Sequence, residues 1–262
     1  MTSPRVGILG LEIDAINMEE TLALFDGWIS RREHQYVCVA AAHTVMSCYH
    51  DPELMDIFNA SSLTVPDGMS IVWLLKLYGN LNVSRVYGPD LMLSVAERSL
   101  QYGWRHFLYG GEEGVPEALK EALEVKYPGI QIVGTYSPPF RTLTQQEDAA
   151  ITEQINILQP DIVWVGVGTS KQEKWISRHL GRINAHVMIG IGAAFDFVSG
   201  RKPQAPRWMQ RVGLEWIFRF FTEPVRLFPR YAEYPMFMVL ALAELLGKWK
   251  RAGQAGTKKT DL

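Results

Sequence analysis

Asp67 is the first residue of this chain whose type and setting suit chemistry. It stands in Val65-Pro66-Asp67-Gly68-Met69, a turn signal at the end of a short apolar strand. A carboxylate in such a turn can face a pocket and take a proton from a hydroxyl. The same residue can equally cap the helix expected from Met69. Arg85 lies just before a second acidic turn, Gly88-Pro89-Asp90. Its guanidinium fork fits a phosphate, or a surface salt bridge. Asp90 reads as a helix cap. His43 follows an apolar strand and so falls at the same end of the fold, as a catalytic group or as a satisfied core imidazole. Asp196, in Gly192-Ala193-Ala194-Phe195-Asp196, has apolar neighbours and needs a partner, an arginine or ligand hydroxyls.

A second set of residues could hold an anion. Ile162 to Val167 is an apolar, β-rich run broken by Gly166 and Gly168, after which Thr169 or Ser170 can cap a helix starting near Lys171. A buried strand that opens through glycines into a helix aims backbone N–H groups at one point, where phosphate is favoured. Lys171, Gln172 and Lys174 fall in the first turn of that helix. An ordinary strand-to-helix turn carries the same signature. Gly110-Gly111 and Gly192 mark the ends of two further strands. Gly190-Ile191-Gly192-Ala193-Ala194 has a dinucleotide look, which would make the chain an NAD-dependent oxidoreductase. It comes late, however, and no acidic residue ends a following strand at the expected distance. There is no Walker-type loop, no His/Cys cluster with metal spacing and no Asp-x-Asp pair. A diphosphate bound here must be met by arginines, lysines and helix N-termini, with no metal and no cofactor expected.

The elements that position these residues follow from periodicity. Val6 to Ile13 reads as one strand, and Asn17 caps a helix from Met18 to about Arg32. Tyr36 to Ala42 reads as a buried strand, followed by His43 and a helix over Thr44 to Tyr49. Asp51-Pro52-Glu53 opens a helix to about Asn59, with proline at its first position. Leu63 to Val65 and Val83 to Tyr87 read as short strands, each followed by an acidic turn and a helix. From residue 104 the pattern alternates: strands at Arg105 to Tyr109, Ile130 to Thr135, Ile162 to Val167 and Val187 to Ile191, with helices between. Such alternation argues for a mostly parallel sheet with helices on both faces, and for ligands at the carboxyl ends of its strands. The fold expected is α/β, a Rossmann-like sheet over residues 1–200, with a helical, basic-aromatic appendage over 201–252 and a disordered tail over 253–262.

Composition narrows the function classes. The chain has 262 residues, 47% apolar and 21% charged, with a net charge of −2. It has ample length for a core, and no global basic field points to nucleic acid. Cys38 and Cys48 form neither a disulfide framework nor a metal site and read as buried free thiols, which fits a reducing compartment. No signal peptide and no spanning helix are expected. Beyond residue 200, arginine and lysine alternate with Trp, Phe, Leu and Met. Met236 to Leu246 is an apolar run too short to cross a bilayer. It suits a helix at a membrane surface, or one docked on the core or on another subunit, including a second copy of the chain.

These stretches together resemble the WecG/TagA/CpsF family of bacterial glycosyltransferases (glycosyltransferase family 26). The resemblance runs from Ile8 to Tyr231. It is carried by Asp51-Pro52-Glu53-Leu54, Val65-Pro66-Asp67-Gly68-Met69, Arg85-Val86-Tyr87-Gly88-Pro89-Asp90-Leu91 and Phe107-Leu108-Tyr109-Gly110-Gly111. Lys171-Gln172-Glu173-Lys174-Trp175, Gly192-Ala193-Ala194-Phe195-Asp196 and Gly213-Leu214-Glu215-Trp216 extend it. It implies an inverting, metal-independent transferase moving a sugar from a UDP-sugar, of the N-acetylmannosamine, glucose or glucuronate type, to a polyprenyl-diphosphate-linked sugar in cell-surface polysaccharide synthesis. It implies Asp67 as the base, with Arg85, Gln172 and Asp196 at the donor and Arg219 and Arg226 at the diphosphate. It also implies a place inside the cell, peripheral at the inner face of the cytoplasmic membrane, reached through the appendage. The chain departs from the family pattern where many members carry Thr-x-Asn at the end of the second strand. Here Val39-Ala40-Ala41-Ala42-His43 stands instead, with His43 as the polar group. A family arginine near residue 229 is Pro229 here, with Arg230 adjacent. The departure leaves open a non-catalytic nucleotide-binding or scaffold subunit.

Overall fold

The computed structural model describes residues 3–257. Its centre is a six-stranded sheet, parallel throughout. In chain order the strands are β3 (Gln35–Ala40), β4 (Leu63–Pro66), β5 (Arg105–Gly110), β6 (Gln131–Tyr136), β7 (Ile162–Gly166) and β8 (Val187–Gly190). Across the sheet they run β4-β3-β8-β7-β5-β6. Successive strand residues point to opposite faces, and two cores result. Val163, Val165, Phe107 and Tyr109 join the core on one face. Ile162, Trp164 and Leu108 join the other.

The first face is covered by α2 (Ala42–His50), α3 (Pro52–Asn59), α4 (Met69–Leu77), α7 (Gln145–Leu158) and α8 (Lys171–His179). The second is covered by α1 (Met18–Ser30), α5 (Gly88–Tyr102), α6 (Val115–Lys126) and α9 (Gly192–Val198). Helix starts follow local rules. Asn17 and Glu20 form a reciprocal cap on α1, as do Thr144 and Glu147 on α7.

Two expected strands differ. Residues 6–13 are not one strand but a hairpin, β1 (Arg5–Ile8) and β2 (Leu11–Asp14), in a separate antiparallel sheet. Leu9 and Gly10 both take positive φ, 51° and 90°, the geometry of a tight two-residue hairpin turn. Residues 83–87 are not a strand either. Val86 N bonds the carbonyl of Pro66, the last residue of β4, at 2.8 Å, so the segment crosses the strand end without pairing along it. The helix expected from Thr44 begins at Ala42, which puts His43 inside its first turn.

The appendage comprises α10 (Arg207–Arg211), α11 (Glu215–Thr222), α12 (Pro224–Tyr231) and α13 (Tyr234–Thr257). Of the tail expected to be disordered, 253–257 continue α13, and 258–262 lie outside the described residues. Phe237, Ala241 and Leu245 of α13 are buried. The helix is tied to the hairpin: Leu9 N donates to Glu244 Oε2 at 2.7 Å, and Lys248 Nζ donates to the Gly7 carbonyl at 2.8 Å. No helix among the described residues is long and apolar enough to cross a membrane.

Candidate active site

The chain leaves β3, β4 and β7 toward one face of the sheet and leaves β8, between β3 and β7, toward the other. Such a divergence opens a crevice at the carboxyl ends of the strands. His43 after β3, Asp67 after β4, Gly168 after β7 and Gly192 after β8 border it. The appendage approaches from the same side, bringing Glu215, Arg219 and Arg230.

Asp67 does not cap its own helix. The N-cap of α4 is Gly68, without a side-chain bond. Asp67 Oδ1 instead accepts from Gly88 N at 2.9 Å, at the start of α5. Burial raises the carboxyl above the ordinary range. Glu215 adds to this, while Arg85, the Gly88 amide and Arg219 oppose it. A carboxylate held near a helix start with a raised pKa has the properties of a general base.

Arg85 makes neither a free phosphate fork nor a surface salt bridge. Its Nε donates to the Asp67 carbonyl. Its Nη2 donates to Glu215 Oε2 at 2.7 Å, and the guanidinium lies 4.0 Å from the centre of the Tyr87 ring. The Tyr87 hydroxyl donates to Glu215 Oε1 at 3.0 Å. One buried acid on α11 therefore fixes the Asp67 loop from the appendage side. Asp90, read as a cap, pairs with Arg207 at 2.9 Å instead.

His43 Nε2 lies 3.5 Å from Thr169 Oγ1, across the crevice. Burial, with Arg230 and Arg219 nearby, pushes its pKa down to about 3. The imidazole is thus neutral and suited to exchange hydrogen bonds more than to accept a proton. Arg219 Nε is buried without a partner among the described residues. Its Nη1 stands 4.0 Å from Glu215, and its guanidinium 5.3 Å from the Phe197 ring centre. Burial, Arg226 and Arg219 all disfavour the charge on Arg230. Arg226 is held by Glu223, which also binds Lys202 at 2.9 Å. Lys202 is the partner of Asp196, at 2.7 Å, so a lysine fills the role expected of an arginine or a ligand.

The strand-end glycines divide. A Cβ on Gly110 would stand 2.5 Å from the Gly166 backbone, and one on Gly166 would stand 2.7 Å from the Phe195 ring. These two serve strand and helix packing, and Gly111 N bonds the Gly166 carbonyl at 2.9 Å. Gly168, with a φ of 92°, has open space where a Cβ would go, so it borders the crevice. Lys171 is exposed beside it. Gln172 is buried, and its Oε1 accepts from Gly192 N at 3.2 Å. Lys174 turns away to Asp51 and Glu53, at 2.8 and 2.7 Å.

Sequence reasoning passed over Glu215, Tyr87, Arg230 and Lys202 as site residues. Glu215 offered one signal, an acid among the basic and aromatic residues of the appendage. Among the described residues, no group of three or more His, Cys, Asp or Glu side chains could hold a metal ion.

Comparison with known proteins gives a consistent picture. The model of a family described as "Glycosyl transferase WecG/TagA/CpsF family" matches residues 6–251. An N-acetylglucosaminyldiphosphoundecaprenol N-acetyl-beta-D-mannosaminyltransferase of Bacillus subtilis (strain 168) is 32% identical over 197 residues, covering 74% of this chain and 73% of that relative. A protein of the same name from Staphylococcus aureus (strain MRSA252) is 26% identical over 253 residues, covering 95% and 96%.

Proposed function

The chain belongs to the WecG/TagA/CpsF family of glycosyl transferases, and from that premise we propose that it moves N-acetylmannosamine from a UDP-linked donor to the N-acetylglucosamine of a diphosphoundecaprenol acceptor. The names of the relatives support this choice of sugar and acceptor. One observation carries the reading: a carboxylate with a raised pKa, Asp67, shares its crevice with Arg219, whose buried Nε has no partner among the described residues, and with Arg230, whose charge is opposed by burial and by neighbouring arginines. Asp67 takes the proton of the acceptor hydroxyl as that oxygen attacks C1 of the donor sugar. UDP departs from the opposite face, so the configuration at C1 inverts. Arg219, Arg230 and the N–H groups of the glycine loops take up charge on the leaving diphosphate, in the role a metal would otherwise fill. Arg85, gripped by Glu215, holds the Asp67 loop in place.

The full-length chain, given UDP-N-acetylmannosamine and the lipid-linked acceptor in vesicles, is expected to form the disaccharide lipid with excess chelator present. Loss of turnover in chelator and its return with magnesium would replace the arginine reading with a metal one. Binding of UDP without transfer to any lipid-linked acceptor would favour a nucleotide-binding scaffold.

The acceptor is a membrane lipid, so the enzyme works at a membrane surface, the inner face of the cytoplasmic membrane in this reading. Exposed apolar side chains on the appendage helices support this: Trp208, Phe221, Val225, Phe228 and Val239, with Val225 at 90%, in a segment whose arginines suit anionic lipid. The full-length chain is expected to float with anionic liposomes, and Phe221→Ser with Val225→Ser to reduce flotation. Equal recovery of both at the bottom of the gradient would count against the membrane contact.

A further inference from the structure

Three helices of this fold, α1, α7 and α8, start with a glutamate at their third residue whose carboxylate accepts from the N-cap amide, and α7 and α8 treat that carboxylate in opposite ways. On α7, Glu147 accepts from Thr144 N at 2.8 Å from a partly exposed position, and its carboxyl is pulled down to about 2, first by Arg141. On α8, Glu173 accepts from Ser170 N at 2.7 Å but is only 1% exposed. Helix capping does not require burial, and burying a carboxylate is unfavourable unless its partners are good. Glu173 has a second partner. Its Oε1 accepts from Gln172 Nε2 at 2.8 Å, and Gln172 Oε1 accepts in turn from Gly192 N at 3.2 Å.

We propose that Glu173 is a positioning residue for the donor site: through Gln172 its buried carboxylate ties the loop after β7 to the loop after β8, and so sets how tightly the donor nucleotide is held. The inference deepens the transferase reading and rests on it, because these two loops are where that reading seats the donor. The route is continuous, from Ser170 N through Glu173 and the Gln172 amide to Gly192 N. Each end is a segment that needs holding. Ser170 has a φ of 70° without being glycine, a conformation that persists only where its surroundings enforce it. Gly192 opens the first turn of α9. The amide of Gln172 has room because residue 190 is glycine, where a Cβ would stand 2.8 Å from Gln172 Cγ.

The ionised carboxylate accepts from both donors at once. A protonated one carries an O–H that opposes either Ser170 N or Gln172 Nε2. Burial raises the Glu173 carboxyl to about 7, against the pull of its partners and of Arg230. The titratable and charged groups facing it are Cys38 on β3, Cys48 on α2 and Arg230 on α12. Both thiols are held well above their ordinary range by burial and stay neutral, so Glu173 changes charge near neutrality without them. Nucleotide binding is therefore tightest above that point and weakens as pH falls through it.

The test is UDP calorimetry on the full-length chain between about pH 6 and about pH 8.5, with donor KM and kcat measured alongside. The proteins are wild type, Glu173→Gln, Gln172→Met and the double variant. Glu173→Gln keeps the shape and fits one of the two donors, so its melting temperature is expected to match wild type. Its UDP Kd and donor KM are expected to rise about tenfold at the alkaline end, the scale of one charge-assisted hydrogen bond. Its kcat should stay within about threefold and its binding should lose the step near neutrality. The double variant should bind no worse than the weaker single one, since both act on one bridge. Wild-type affinity and pH profile in Glu173→Gln, or additive losses in the double variant, would overturn the proposal. Absence of UDP binding and of sugar transfer in the wild type would instead remove the donor-site reading and this inference with it.

Discussion

Asp67→Asn is expected to lower kcat for sugar transfer by about 10²- to 10⁴-fold, the range that a positioned general base contributes, while UDP binding and the fold remain. Asparagine keeps an oxygen for Gly88 N, which Asp67 Oδ1 now serves at 2.9 Å, but it cannot take a proton. The effect therefore falls on kcat more than on donor KM. The wild-type pH profile should carry the same signature. The base works ionised, so kcat/KM falls as pH drops through its pKa. Burial and Glu215 hold that pKa above the ordinary carboxylate range, so the acid limb lies at higher pH than for an exposed aspartate. The sign for stability runs the other way. A carboxyl whose folded pKa is raised stabilises the fold while protonated, below its unfolded pKa, and loses that contribution as pH rises through the folded value. Above its folded pKa the ionised Asp67 is thus a liability to the fold, and there the variant, with a neutral asparagine in its place, should melt at the same temperature or higher. A protein that is inactive yet no less stable is the expected result, the trade common at strained active sites. Full activity in the variant would remove Asp67 from the mechanism, and a large drop in melting temperature would recast it as a structural acid.

The parallel sheet was readable because its strands are apolar runs separated by helical periodicities, and both signals are local. The N-terminal hairpin was not. Its turn is Leu9-Gly10, and a leucine at positive φ gives no warning, so the eight residues from Val6 to Ile13 look like one strand interrupted by glycines. Residues 83–87 have strand composition, but their partner is the end of β4 and not a strand edge. Asp67 shows a different limit. A base and a cap both need a carboxylate at a turn, and what rules out a cap on α4 is the partner that Asp67 takes instead; that partner, Gly88, lies 21 residues away in the chain. The glycines were ambiguous for a similar reason. Gly166 and Gly168 belong to one sequence motif, yet Phe195 packs on the first while the second borders open space. Glu215 meets Arg85 across 130 residues, a contact with no local trace beyond the oddity of an acid in a basic segment.

The appendage arginines separate in the same way, and the separation is testable. Arg219→Ala and Arg230→Ala are each expected to weaken UDP binding about 10- to 100-fold, corresponding to about 1.5–3 kcal/mol for a hydrogen bond to a charged group. Arg226→Ala is expected to change it by less than about threefold, as exposed ion pairs usually do. The three lie within twelve residues of one another, but a helix break at Glu223 and Pro224 separates Arg219 on α11 from Arg226 and Arg230 on α12, and Glu223 engages Arg226. Arg226 has an exposed side chain already paired with Glu223. Arg219 has a buried Nε without a partner among the described residues, and it reaches Glu215 at only 4.0 Å while that acid is engaged by Arg85 and Tyr87. Arg230 is disfavoured by burial and by both neighbouring arginines. Two guanidiniums short of counter-charge repel each other, and a diphosphate between them would remove that repulsion as well as accept their hydrogen bonds. Removing either should consequently leave the free protein no less stable while weakening the complex, which separates a binding role from a structural one. His43 provides an independent reading of the same field. Burial sets its low pKa first, with Arg230 and Arg219 adding to it, so either variant should move the imidazole titration upward from about 3, as followed by NMR. Calorimetry in which Arg226→Ala loses the most affinity would reverse the assignment and put the diphosphate at the Asp196, Lys202 and Glu223 side of the crevice.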